Sequence, residues 1–185
     1  MRDTFGGRDK IIDAGDLYTP RLPAATPETQ LSYLHRGNYY NAVRRTVSGL
    51  VGGVFQKAPR FDVPRRVEPW LTDITLTNVP MASFALSATE DVMLMGRSGV
   101  LVEMAESPLT EVRPYFVSYA AENIINWDTT VINGDEVLTL LVLREQPRRV
   151  DERDAFSYKT IEQYRELRLI LENDTLRYTQ QIWQR

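Results

Sequence analysis

The sequence predicts an α+β fold, N-terminal helices followed by an antiparallel β-meander, and three observations predict it. Apolar residues recur at helical spacing between residues 27 and 95. From Gly99 onward the period changes to two. Asn133-Gly134 then stands between two apolar runs, where both residues tolerate the positive φ of a tight hairpin turn. At 185 residues the chain makes one domain or two small ones, given roughly 100–200 residues per domain.

Taken in order, residues 1–25 mix Gly6, Gly7, Gly15, Pro20 and Pro23 with charges. They read as an N-terminal arm or extended segment, with Ile11, Ile12, Leu17 and Tyr18 available to dock. Thr26 is a good helix cap, Pro27 suits the first helical position and Glu28 complements the helix dipole. This predicts a helix over 27–36, stopped by Gly37. Asn38 is expected to cap a longer helix with one apolar stripe, Val43, Val47, Leu50, Val51, Val54 and Phe55, ended by Pro59. Within it Gly49, Gly52 and Gly53 each cost about 1 kcal/mol against Ala. Two explanations stand open. Either Gly49 and Gly53, on one face, admit the backbone of a close neighbour, or the helix ends near Gly52.

An extended connector at 60–63 and an irregular stretch at 65–77 follow, the latter carrying Trp70, Leu71, Ile74 and Leu76 as docking residues. Pro80 opens a third helix over 79–95. Its expected buried stripe is Met81, Phe84, Ala85, Ala88, Val92 and Met95, with Gly96 in the left-handed closing position. Met81, Met93 and Met95 read as gap-filling core. Strands are expected at 99–104 and 114–119, on either side of a loop around Ser107-Pro108, and Ala121-Glu122-Asn123 is a tight connector to a strand at 124–130. EVLTLLVLR at 136–144 is apolar almost throughout, which places it centrally in its sheet. Residues 146–154 read as a charged loop and 158–171 as one strand. In that strand Arg165, Leu167, Leu169 and Leu171 share a face, with Glu166, Arg168 and Ile170 on the other. A turn at Glu172-Asn173-Asp174 leads into a last strand over 175–185. A chain that stops in or just after a strand is expected to be the front part of a longer polypeptide.

The composition narrows the chemistry more than it identifies it. With 43% hydrophobic and 25% charged residues, the chain is unlike a disordered tail, a collagen rod or a coiled coil. It has no cysteine, which excludes disulfides, thiolate metal sites and a cysteine nucleophile. His35 is the single imidazole and reads as a partly exposed residue near a helix end, since no carboxylate lies beside it in sequence. Twenty-two Lys and Arg against twenty-five Asp and Glu give a net charge of −3. That gives no reason to expect a general nucleic-acid binder. No phosphate-cradling glycine loop occurs. No stretch of 18 apolar residues and no apolar leader in MRDTFGGRDK are found, so the expectation is a soluble intracellular chain with no membrane partner. Glu103, Glu106, Asp128 and Asp135 would bind Mg²⁺ for nucleic-acid processing only if folding gathered them, because no spacing enforces it. No catalytic, cofactor-binding or metal-binding residue is therefore assigned, and no cofactor is expected.

Three stretches together carry a family resemblance. They are NYYNAVRRTVSGLVGGVFQKAPRFDVP, a helix running into an extended segment; DVMLMGRSGVLVEM, a helix end, a glycine and a strand; and RPYFVSYAAENIINWDTTVINGDEVLTLLVLRE, in which a strand reaches an Ala-Glu-Asn-Ile corner and a Trp-bearing hairpin. Over residues 31–185 the chain resembles tailed-bacteriophage portal proteins, in particular the portal-like phage family long catalogued as a domain of unknown function. The third stretch is the most specific of the three. The resemblance implies a wing-like α+β region at 26–185 and a structural, non-enzymatic subunit of a homo-oligomeric ring, expected to be a dodecamer. Such a ring sits at the unique capsid vertex of the virion, having assembled in the host cytoplasm. It implies the major capsid protein, the terminase large subunit and a head–tail adaptor as partners, with double-stranded DNA passing through the ring without sequence specificity. The stem, clip and crown of that family have no counterpart in these residues. Another phage head–tail structural or adaptor protein is the alternative, followed by the Mg²⁺-dependent enzyme above. Tyr39, Tyr40, Trp70, Trp127 and Trp183 are the aromatics available for ring interfaces, if they do not instead cap ordinary cores.

Overall fold

The computed structural model describes residues 1–104, 112–151, 154–173 and 175–184. The chain divides into two compact units, one comprising Met1–Ser98 with Met104–Phe116 and the other Gly99–Glu103 with Val117–Arg185. Helices precede strands, so the fold is α+β as expected.

The first unit contains α1 (Arg2–Gly6), α2 (Arg8–Asp13), α3 (Pro27–Arg36), α4 (Ala42–Val54) and α5 (Met81–Met95). Thr26 caps α3 as its residue type predicts, its hydroxyl accepting from the Thr29 amide at 3.2 Å. The cap of α4 is Asn41 and not Asn38: the Asn41 carboxamide oxygen accepts from the Arg44 amide at 2.8 Å, and its Nδ2 donates to the Phe5 carbonyl at 3.0 Å. Residues 1–25, read as an arm or extended segment, instead carry two short helices. They are held by bonds to distant residues, Arg2 to the Asp91 carboxylate at 2.8 Å and the Tyr39 hydroxyl to the Thr4 carbonyl at 2.8 Å.

The core of this unit is Val47, Val51 and Leu94, with Phe5, Val43, Phe55 and Met95 packed against it. Only part of the expected α4 stripe is therefore inward. Leu50 and Val54 are more than half exposed. In α5 the buried residues are Phe84 and Leu94, whereas Val92, expected inside, is exposed, and Gly96 closes the helix at φ 83°. The irregular stretch contains a short 3-10 helix, Glu68–Thr72, and buries Ile74. Phe84 meets Phe116 edge-on at 5.6 Å between ring centroids.

Of the two explanations offered for the α4 glycines, close packing fails, because a Cβ added at Gly49, Gly52 or Gly53 meets nothing within 4 Å. The helix ends at Val54, two residues past Gly52 and short of Pro59, as the other explanation expects. These glycines lie away from the Val47–Val51 face, so replacing Gly53 with Ala is expected to raise stability by about 1 kcal/mol through helix propensity alone. Chemical denaturation of that variant checks this, and any loss of stability contradicts it.

The strands are β1 (Ser98–Met104), β2 (Pro114–Ala120), β3 (Ile124–Ile132), β4 (Asp135–Glu145), β5 (Arg148–Asp151), β6 (Asp154–Thr160), β7 (Gln163–Glu172) and β8 (Thr175–Gln184). β1 pairs with β2, β5 with β6, and the main sheet has the order β3-β4-β7-β8, antiparallel throughout. Asn133 and Gly134 turn the β3–β4 hairpin at φ 54° and 92°, as the Asn-Gly pair predicts. β4 lies inside the sheet, and Leu143 within it is 1% exposed. Two expectations need correction. The charged loop at 146–154 holds β5 and the start of β6, and the single strand at 158–171 is the end of β6 followed by β7. The β5–β6 hairpin pairs Val150 with Tyr158 yet leaves Val150, Phe156 and Tyr158 exposed. The Ser107-Pro108 loop lies outside the described residues.

Candidate functional site

Arg165 interrupts the leucine face of β7, and the second unit builds its most connected polar cluster around it. Arg165 Nε donates to Glu145 Oε1 at 2.5 Å, and one Nη donates to Gln180 Oε1 at 3.0 Å and to the Glu103 carboxylate. Glu145 also accepts from the Tyr119 hydroxyl at 2.5 Å and from Gln163 Nε2 at 2.6 Å. Gln163 and Tyr119 are buried, and the side chains of Arg165 and Glu145 are 12% and 13% exposed. The cluster therefore ties Glu103 of β1, Glu145 of β4 and Gln180 of β8 to one cation on β7, with Tyr119 of β2 and Gln163 of β7 joined to it through Glu145.

Strand register makes this possible. Leu143 stands opposite Arg165 and Glu145 opposite Gln163, so Glu145, Arg165 and Gln163 fall on one face of adjacent strands. Gly99 in β1 lets this unit close up. A Cβ there would lie 3.0 Å from Ile124 Cδ1, tighter than ordinary contact, and 3.4 Å from Tyr119 Cβ. A groove of about 400 Å³ lies beside the cluster, lined by Asn123, Arg144 and Pro147 as well as by Glu103, Glu145 and Arg165.

The electrostatics follow from the bonds. Burial by itself would push the Glu145 carboxyl up, but hydrogen bonds from Arg165, Tyr119 and Gln163 outweigh it and hold the group below the usual carboxylate range. Burial and the Glu145 carboxylate push the Tyr119 hydroxyl well above its ordinary value, so at neutral pH it is a fixed donor. Burial would weaken the charge on Arg165, yet the carboxylates around it raise its affinity for its proton. Each member is committed to a partner of opposite charge or to a hydrogen bond. Neither carboxylate is placed as a free base, and the cluster works as a joint between strands.

The acids considered for Mg²⁺ are placed separately. Glu103 is bound to Arg165, Asp128 sits exposed in mid-β3 with its carboxylate accepting from the Thr129 amide at 2.9 Å, and Asp135 begins β4. Glu106 lies outside the described residues. Among the described residues no group of three or more His, Cys, Asp or Glu could hold a metal ion. His35 is exposed near the end of α3, where its carbonyl accepts from Arg8 at 2.6 Å. Of the aromatics, Tyr40, Trp127 and Trp183 are exposed and Tyr39 and Trp70 half-buried. No helix among the described residues is long and apolar enough to cross a membrane.

The sequence reading missed the Arg165 cluster. Its one local signal was the arginine on an otherwise leucine face, since a charge held in an apolar register needs a partner. No protein-family model matches this chain, and no curated protein matches it in sequence.

Proposed function

We propose that this chain is a structural subunit of a tailed-phage portal ring and performs no chemistry of its own. The single observation that carries the reading is the segment RPYFVSYAAENIINWDTTVINGDEVLTLLVLRE, the most specific word of the resemblance. It folds as β2, a 3-10 corner at Ala121–Asn123, then β3, the Asn-Gly turn and β4. That is the strand, corner and Trp-bearing hairpin that the resemblance describes.

Two further features support it. The best-organised polar cluster is a closed joint whose groups satisfy one another, which suits a part that transmits force. The net charge of −3 suits a conduit wall, because each Lys or Arg contact with phosphate adds salt-dependent affinity that would retard sliding DNA. In this reading the subunit joins its own copies in a ring at the capsid vertex. The major capsid protein, the terminase large subunit and a head–tail adaptor dock on that ring, and duplex DNA passes through without sequence readout.

Sedimentation equilibrium at rising concentration tests the proposal. The expected result is a single large assembly whose mass is a fixed multiple of the subunit, approached without a dominant dimer. A chain that stays monomeric, or stops at a two-fold dimer, contradicts it.

A further inference from the structure

We propose that copies of this chain join edge to edge, β8 of one adding to β3 of the next in antiparallel register, with Arg177 opposite Asp128. This names the interface of the proposed ring and rests on that reading for closure into a ring; the pairing itself is argued from the sheet.

The two outer strands of the main sheet match in direction and length. With the order β3-β4-β7-β8 and every neighbour antiparallel, β3 and β8 run in opposite senses. The β3 of a second copy set beside β8 therefore continues the alternation. The strands have nine and ten residues. β8 is exposed along its whole length, and β3 is exposed from Ile125 to Val131. Neither strand contains proline or lysine, the residues that commonly blunt a sheet edge, and both are rich in Thr, Ile and aromatics. An edge of this kind recruits another strand.

Charge and side-chain direction select the partner and the register. Asp128 is the one charged residue of β3 and Arg177 the one charged residue of β8. The register Asp128–Leu140–Arg168–Thr179 puts Asp128 on the sheet face that carries Thr179, and hence Arg177. The register Trp127–Leu141–Leu167–Gln180 likewise puts Trp127 on the face of Tyr178. Setting Asp128 against Arg177 therefore aligns Trp127 with Tyr178, Asn126 with Thr179 and Thr130 with Thr175, every pair on a common face. Of the two irregularities in the β3–β4 register, the one at Ile125 lies outside this paired span; the other, between Asp128 and Thr129, lies within it, the extra residue there being Thr139 of β4. Trp127 and Tyr178 are 49% and 51% exposed, area that an aromatic cross-strand pair would cover. The bond of Arg177 to Glu172, 62% and 49% exposed, is a surface pair of small worth and readily exchanged. Pairing β8 with another β8 would offer Arg177 only a second Arg177. A second copy of this chain, presenting β3, is the complementary occupant. Because the two surfaces differ, the contact is heterologous and propagates into a ring or a filament.

The chain has no cysteine, so introduced thiols report alone. Within one copy β3 and β8 are three strand spacings apart, about 14 Å, too far for a disulfide. The Asp128→Cys, Arg177→Cys double variant, oxidised mildly, is expected to give a ladder of covalent dimers, trimers and higher species that reductant collapses. It should form roughly tenfold faster than from Asp128→Cys with Gln181→Cys, because Cα atoms more than about 7 Å apart do not bridge without backbone movement. As a second measurement, Asp128→Arg and Arg177→Asp should each lower the assembled fraction, and the two together should restore it. This exchange decides the matter if the cysteine pair disturbs the fold. Wild-type assembly with no register-dependent ladder and no charge rescue overturns the interface and leaves the ring standing. A ladder or rescue leading only to open filaments upholds the interface and removes the ring. A chain that neither assembles nor cross-links overturns both.

Discussion

Arg165→Met is expected to destabilise the protein by about 3–5 kcal/mol at neutral pH, because it strands two carboxylates that folding has desolvated. Glu145 would keep its bonds from Tyr119 and Gln163 but lose the cation that holds it ionised, and Glu103 would lose its bond to Arg165. The pH dependence separates this mechanism from simple loss of packing. In the wild type the Glu145 carboxyl titrates below its unfolded value, so its contribution is complete above the ordinary carboxyl range and is lost as the pH falls through the lower folded value. In the variant, burial without the cation raises the Glu145 carboxyl, so the deficit should shrink as the pH falls towards 4. Urea denaturation of both proteins across that range measures it. Parallel curves would contradict the account, and Arg165→Lys, which keeps the charge without the fork of donors, should lose only part of the stability. At the alkaline end Tyr119 adds the opposite slope. Its folded value lies above its unfolded one, so its share of the stability is intact below about pH 10 and declines beyond it.

Leu143→Ala carries the second large effect, an expected loss of about 2–5 kcal/mol from transfer and cavity terms. Leu143 is 1% exposed in the strand that lies inside the sheet, opposite Ile124 on one side and Arg165 on the other. Phe156 supplies the control from the same unit. At 95% exposure it buries almost nothing, and Phe156→Ala should stay within about 0.5 kcal/mol of the wild type. Thermal and chemical melts of the two variants read the contrast directly. A costly Phe156→Ala or a harmless Leu143→Ala would mean that the core of this unit has been misplaced.

What could be read from the sequence was what local chemistry determines. Thr26, Pro27 and Gly37 bound a helix by capping and backbone geometry, and Asn133-Gly134 turns a hairpin wherever apolar strands flank it. The apolar run of β4 fits the inside position it takes, where Leu143 is the residue fully buried. What escaped depended on distant partners. The helices α1 and α2 have no stripe of their own; α1 is held through Asp91, Tyr39 and Asn41, and α2 through Arg8 on the Leu34 and His35 carbonyls. Asn38 and Asn41 are the same residue type, and the choice of cap falls to the one whose carboxamide bonds both the Arg44 amide and the Phe5 carbonyl. The β5–β6 hairpin was hidden because its alternation, Val150 with Phe156 and Tyr158, is set among charges and buries little. The α4 glycines invited a packing explanation that the outward direction of their face removes. Arg165 finds Glu145 twenty residues away and Glu103 sixty-two residues away, separations at which no spacing rule operates.

The portal proposal joins these parts into one claim: the joint around Arg165 stiffens a sheet whose two outer strands recruit copies of the chain. Electron micrographs of the purified protein at high concentration test that claim most directly. Closed rings of uniform diameter around an open centre, dispersed by reversing the charge of Asp128 or Arg177, are the predicted result. Isolated particles of subunit size, or rings indifferent to both charges, would contradict it.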